Sequence, residues 1–121
     1  MPNVLIAEDE ARIAAFIAKG LQKHGFHPLI AADGIEAIQI ATEHAIDVLL
    51  LDLGLPGCDG WQVLESLQRL DKRPPVVIVV TARDDISDRL KSQILGVTDY
   101  VLKPFQFSDL LARIRTQLEP L

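Results

Sequence analysis

The sequence predicts an α/β fold: a single doubly wound domain over residues 1–121, with a five-stranded parallel sheet carrying helices on both faces. Three observations predict it. Short apolar runs alternate with helix-period segments along the whole chain. Three of those runs are continuously apolar rather than alternating, the pattern of strands buried on both faces. The loops between strands and helices are short, so the alternation means a parallel sheet reached by right-handed β–α–β crossovers.

The first strand is VLIA at 4–7, and the helix after it carries Ile13, Phe16, Ile17 and Leu21 as one stripe. HPLIA at 27–31 is the second strand, followed by DGIEAIQIATEHA, whose leading Asp33 suits a helix cap. DVLLL at 47–51 precedes a Gly- and Pro-containing loop and a helix marked by Val63, Leu64 and Leu67, with Trp61 partly covered at its start. PVVIVV at 75–80 leads to DDISDRLKSQIL, whose apolar line is thin (Ile86, Leu90, Ile94), so this helix should pack least firmly. YVL at 100–102 is the last strand. The final helix shows Phe107, Leu110, Leu111, Ile114 and Leu118 in register, with Ser108 or the loop before it as its cap region.

Composition narrows the function classes. Hydrophobic residues make up 49% and charged residues 24% of 121, which suits one soluble globular domain. The net charge of −5 argues against direct nucleic-acid or anionic-membrane binding by this domain. No apolar run approaches the roughly 20 residues needed to span a bilayer. The start, MPNVLIAEDE, lacks the layout of a signal peptide. The single cysteine, Cys58, fits a reducing compartment, and the expected location is cytoplasmic.

In open parallel sheets, chemistry gathers at the carboxyl ends of the strands. Strand one ends in Ala7-Glu8-Asp9-Glu10, strand three at Asp52, strand four at Thr81 and strand five at Lys103. Acids at a helix start are ordinary, and a lone lysine or threonine carries no message. Their joint placement at neighbouring strand tips is the signal. Clustered carboxylates repel and raise one another's pKa, and a hard divalent cation such as Mg²⁺ (or Mn²⁺) relieves this. Asp52 would stay ionised and nucleophilic, while Lys103 and the Thr81 hydroxyl face an incoming phosphoryl group. These residues describe a carboxylate that accepts phosphate.

The stretches IAEDE (6–10), LLLDLGLPGCDGW (49–61), VVTARDD (79–85) and DYVLKPF (99–105) together resemble the receiver domain of two-component response regulators, over essentially the whole chain. The resemblance implies a flavodoxin-like (βα)₅ fold with strand order 2-1-3-4-5. It implies Asp52 as phosphoacceptor and metal ligand, with Asp9 as a direct Mg²⁺ ligand and Glu8 acting through water. It further implies a main-chain carbonyl ligand at Gly54, a Thr81/Tyr100 switch, and a cis Lys103-Pro104 peptide that aims the lysine. The implied donor is a sensor histidine kinase, a phosphotransfer protein or a small acyl phosphate. The chain would then be no enzyme on outside substrates, catalysing only its own phosphorylation and dephosphorylation.

ARDD, DYVLKPF and DLLARIR are similar to receivers of the winged-helix transcription-regulator subfamily. That likeness implies transcription as output and a homodimer through the fourth helix, fifth strand and fifth helix, using Arg89, Lys91, Asp99, Asp109, Arg113 and Arg115. Two positions depart from the pattern: Thr98 replaces a second acid, and Pro120-Leu121 carries no basic residue.

Rival readings are a stand-alone receiver acting by protein–protein contact, a degenerate docking module, and a phosphatase of the haloacid-dehalogenase type. The phosphatase wants an acid two residues after its nucleophile, where this chain has Gly54. The docking module would be expected to lack one of the acids or the lysine, all of which are here. No G-x-G-x-x-G follows strand one, which disfavours a dinucleotide binder. His24, His27 and His44 show no metal-ligand spacing and read as structural. Gly54 and Arg83, each two places after a site residue, are placed to influence water access to an acyl phosphate.

Overall fold

The computed structural model describes residues 1–119; Pro120 and Leu121, the terminal departure noted above, lie outside the described residues. Elements alternate in the predicted order: β1 (Asn3–Ala7), α1 (Ala11–Lys23), β2 (His27–Ala31), α2 (Gly34–Glu43), β3 (Val48–Leu51), α3 (Gly60–Arg69), β4 (Val76–Thr81), α4 (Ile86–Ile94), β5 (Asp99–Leu102) and α5 (Phe107–Leu118). All strand pairs are parallel, and the sheet order is β2-β1-β3-β4-β5. The reversal falls between β1 and β3, so their tips open side by side at the carboxyl edge.

The continuous apolar strands supply two cores by strict alternation. Val4, Ile6, Val48, Leu50, Val76, Ile78 and Val80 face one way, against Ile17 and Leu21 of α1 and Leu110 and Ile114 of α5. Leu5, Ala7, Leu49, Leu51, Val77 and Val79 face the other, against Ala37 and Ala41 of α2 and Val63, Leu64 and Leu67 of α3. Each fully buried leucine or isoleucine contributes about 1.5–3 kcal/mol, and both layers grip the same sheet.

Four details differ from the sequence-based expectation. The thin apolar line of α4 points outward: Ile86 and Ile94 are 79% and 81% exposed, and Leu90 is exposed too. The buried side chains of α4 are Asp88 and Ser92. Periodicity marked a stripe correctly but could not say which side faced the domain. Trp61 is 3% exposed rather than partly covered, because its ring joins the core while its N–H reaches Asp88. Phe16, read as part of the α1 core stripe, is largely exposed and meets Phe107 edge-on at 6.0 Å. Ser108 is not the cap of α5: of the two places expected, the loop before the helix holds it, at Gln106, with no side-chain cap bond. Asp33 does cap α2, accepting from the Glu36 N–H.

Candidate functional site

Each strand tip delivers one group to the carboxyl edge. The β1 tip places Glu8, whose backbone N–H donates to the Ala31 carbonyl at 3.0 Å and fixes it beside β2. Asp52 follows β3 and is tied down through its own N–H to the Ala7 carbonyl at 3.1 Å. Its loop then folds back so tightly that a Cβ on Gly60 would sit 2.7 Å from the Asp52 carbonyl oxygen. Only glycine lets α3 start there. Thr81 ends β4 and is buried, and Lys103 follows β5 at the head of a cis peptide to Pro104.

The Lys103 Nζ donates to Asp52 Oδ2 at 3.0 Å and also to Glu8 Oε1. All three side chains are largely shielded: 13% exposed for Lys103, 4% for Glu8 and 11% for Asp52. Asp52 Oδ1 accepts the Gly54 N–H at 3.2 Å, and Glu8 Oε2 accepts the Glu10 N–H at 3.1 Å. Burial pushes the Glu8 carboxyl above its ordinary value against the pull of Lys103. Burial alone would lower the Lys103 ammonium, but its hydrogen bonds to Glu8 and Asp52 outweigh that and raise it. One cation thus sits between two shielded anions.

Carboxylate oxygens of Glu8, Asp9 and Asp52 lie within 4.8 Å of one another, with Asp9 exposed and the other two buried. An exposed acid beside two shielded ones suits a hard cation that keeps part of its water, and the oxygen-only donor set suits Mg²⁺. Lys103 neutralises only part of the charge of three acids, which leaves a reason for a cation to bind. Gly54 is exposed at the head of the loop.

The remaining predicted residues fall into two groups. Thr81 and Tyr100 converge on Arg83 rather than on Asp52. The Thr81 hydroxyl accepts the Arg83 N–H at 3.3 Å, and the Tyr100 hydroxyl donates to the Arg83 carbonyl at 2.7 Å. Arg89 lies over the Tyr100 ring, 4.1 Å from its centroid. Arg89, Asp99, Asp109 and Arg113 share one open groove with Tyr100 and Phe105. Their charges are paired within the chain, Arg89 with Asp84 and Arg113 with both Asp99 and Asp109. Lys91 turns toward α3, with Glu65 at 3.7 Å, while Arg115 is exposed on α5. Cys58 is half-buried, and burial raises its thiol pKa, as befits an unreactive side chain.

The sequence reading gave Asp88 no role. It is 4% exposed and accepts from Trp61 Nε1 at 2.8 Å and from two nitrogens of Arg83 at 2.9 and 3.0 Å. The five-residue spacing of Arg83 and Asp88 across a helix start was the only available signal.

Residues 4–115 match the family model described as the response regulator receiver domain. The transcriptional activator protein IrlR of Burkholderia pseudomallei is 44% identical over 116 residues, covering 96% of this chain and 50% of IrlR. The curated relatives this chain matches include several transcriptional regulators, in keeping with the winged-helix subfamily. The chain spans about half their length. Among solved structures, the receiver domain of the Francisella response regulator 1452 superposes with TM-score 0.88 at 31% identity, covering 97% of this chain and 96% of that one. The response regulator TrrA of Thermotoga maritima, solved in complex with Mg²⁺–BeF, superposes with TM-score 0.85 at 27% identity, covering 98% and 100%. Among the described residues, no helix is long and apolar enough to cross a membrane.

Proposed function

This chain belongs to the response regulator receiver family of two-component systems, and from that premise we propose that Asp52 accepts a phosphoryl group and that Thr81 and Tyr100 turn its arrival into a changed surface. The observation that carries this is the Lys103 ammonium held between Glu8 and Asp52, beside Asp9, at the carboxyl edge of the sheet. A carboxylate with no chemical task would not be kept there, ringed by acids and one cation.

The donor is a phosphohistidine on a sensor kinase or phosphotransfer protein, or a small acyl phosphate. A carboxylate oxygen of Asp52 attacks phosphorus, and the bond from phosphorus to the leaving nitrogen or oxygen breaks. The leaving group keeps the electron pair and takes a proton from solvent. Lys103 and the Thr81 hydroxyl donate to the phosphoryl oxygens, on which the charge is spread. Asp9, Asp52, the Gly54 carbonyl and, through water, Glu8 would hold Mg²⁺ (or Mn²⁺); when bound it neutralises charge on both acids and phosphoryl group. The complex of TrrA with Mg²⁺–BeF supports this assignment. The chain acts only on itself, in phosphorylation and in hydrolysis of its own acyl phosphate.

The added charge, about −1.5 to −2 at a site already acidic, biases the Thr81/Tyr100 surface. That surface controls an output, which the relatives' names make transcription, in the cytoplasm. Dimerisation through the α4–β5–α5 face would let Arg89, Asp99, Asp109 and Arg113 exchange partners between copies, with Lys91 and Arg115 at the margins. Incubation with acetyl phosphate and Mg²⁺ is expected to add the mass of one phosphoryl group, absent in Asp52→Asn. No gain, or steady phosphate release from unrelated phosphoesters, overturns the reading.

A further inference from the structure

Helix α4 is fixed in an unusual way. Its apolar side chains face out, and what it turns inward is Asp88 and Ser92. The Ser92 hydroxyl is satisfied within the helix, donating to the Arg89 carbonyl. Asp88 therefore makes the buried polar bonds that hold α4 inward, beside the exposed and longer Lys91–Glu65 ion pair to α3 at 3.7 Å. It takes the Trp61 indole N–H from α3 and both arms of Arg83 from the β4–α4 loop.

Arg83 is the meeting point. Its guanidinium grips Asp88, and its Nη1 lies 3.5 Å from the Leu53 carbonyl, next to Asp52. Its carbonyl takes the Tyr100 hydroxyl, and its N–H donates to the Thr81 hydroxyl. A Thr81 rotation that carries the hydroxyl toward Asp52 deprives the Arg83 N–H of its acceptor, unless the loop follows. For the loop to follow, Arg83 must release Asp88 or drag α4 with it. Helix α4 has little apolar burial to resist such a movement, and helices of that kind are the ones that open at low cost.

We infer that Arg83 and Asp88 are positioning residues forming a clamp that holds the Thr81 hydroxyl back from Asp52 and opens when Asp52 is phosphorylated. This rests on the reading of Asp52 as phosphoacceptor. It adds that Trp61, which shares Asp88 with Arg83, feels the opening. If the ion pair served only to seat α4 on α3, removing it would weaken the fold and leave phosphorylation of Asp52 and the response of Trp61 unlinked to Arg83.

Trp61 is the chain's single tryptophan, so the emission comes from this one ring, which Asp88 and Lys91 both approach. The test treats the full chain with acetyl phosphate and Mg²⁺ while recording phosphoryl stoichiometry by mass and Trp61 emission together. In the unaltered protein, emission should shift in step with the mass gain. In Arg83→Ala, Asp88 keeps Trp61 but the link to Thr81 is cut. Half-saturation should then need about tenfold less acetyl phosphate, the factor set by about 1.4 kcal/mol, and full phosphorylation should leave emission unchanged. Arg83→Lys, which keeps one charged donor, should recover part of both effects. Asp88→Asn releases Arg83 while keeping an acceptor for the indole, and it should lower half-saturation in the same way if the alanine variant folds poorly. The clamp is refuted if the unaltered protein phosphorylates fully with no change in emission. It is also refuted if Arg83→Ala and Asp88→Asn both keep the original half-saturation. A protein that gains no phosphoryl group at all removes the reading of Asp52, and the clamp with it.

Discussion

Replacing Lys103 with methionine tests the electrostatics of the site more directly than any change at Asp52. The substitution keeps a flexible apolar stem and removes the ammonium that bonds both Glu8 and Asp52. Breaking a buried ion pair by deleting one partner costs about 3–5 kcal/mol. A second bound is tighter. Glu8 already has a raised pKa and can escape the repulsion by taking a proton. For a carboxyl of ordinary pKa 4.5, protonation near neutral pH costs about 1.36 kcal/mol per unit, about 3.4 kcal/mol in all. Without metal, Lys103→Met should therefore lose up to about 3 kcal/mol in urea unfolding at neutral pH. The sign with pH follows from linkage. Glu8 in the variant has a folded pKa raised further above its unfolded value, so the folded state binds more protons. Stability relative to the parent is then highest below pH 4.5 and falls as pH rises through the folded value. Mg²⁺ should return part of the loss, since a cation again sits among the acids. A variant as stable as the parent at neutral pH without metal, or a deficit that does not shrink on acidification, refutes the coupling of Lys103, Glu8 and Asp52.

Three other outcomes can be checked on the purified chain. Ile94→Ser should leave the urea midpoint within about 0.5 kcal/mol of the parent, as for exposed sites generally, because the side chain is 81% exposed; a loss of several kcal/mol would mean that α4 packs by its apolar stripe after all. Gly60→Ala should destabilise by about 1–3 kcal/mol, since its Cβ would meet backbone at 2.7 Å, and it should slow phosphoryl uptake by displacing Asp52; unaltered thermal melting would contradict that close approach. Tyr100 is the single tyrosine, and burial, with Asp88 next, holds its pKa above the ordinary 10.0; tyrosinate absorbance should thus appear above that value, and the stability from its protonated form should be full below 10.0 and lost as pH rises from there through the folded pKa. A midpoint at or below 10.0 would place the ring in open solvent.

The sheet was legible because its strands carry their own instructions. VLIA, DVLLL and PVVIVV are apolar on both faces, and only a layer of helices on each side satisfies them. The gathering of Glu8, Asp9, Asp52 and Lys103 followed from the same source, since parallel strands send all their carboxyl ends to one edge. What could not be read was the facing of individual helices. Phe16 lies on the helical stripe of Ile17 and Leu21 yet ends in solvent against Phe107, because Gly20 gives the Phe107 ring a seat on α1. Spacing fixes which residues share a face, not how far round the helix the contact extends.

The inversion of α4 is the sharpest case, and its cause is chemical. A helix with three apolar residues in line is expected to bury them. Here the competing claim on the inner side is a carboxylate with three donors waiting: one indole N–H and two guanidinium nitrogens. Trp61 cannot enter the core without a partner for its N–H, and Arg83, whose Nη1 lies 3.5 Å from the Leu53 carbonyl, takes Asp88 as its anion. Turning Asp88 outward would strand the buried Trp61 N–H, a cost of about 1–3 kcal/mol, and would take from the part-exposed Arg83 its anion. Burying three aliphatic side chains on one short helix gains a comparable amount, but leaving them exposed strands nothing. Satisfying the polar groups decides the rotation of α4, and it leaves the helix held by bonds that a change at Thr81 can reach.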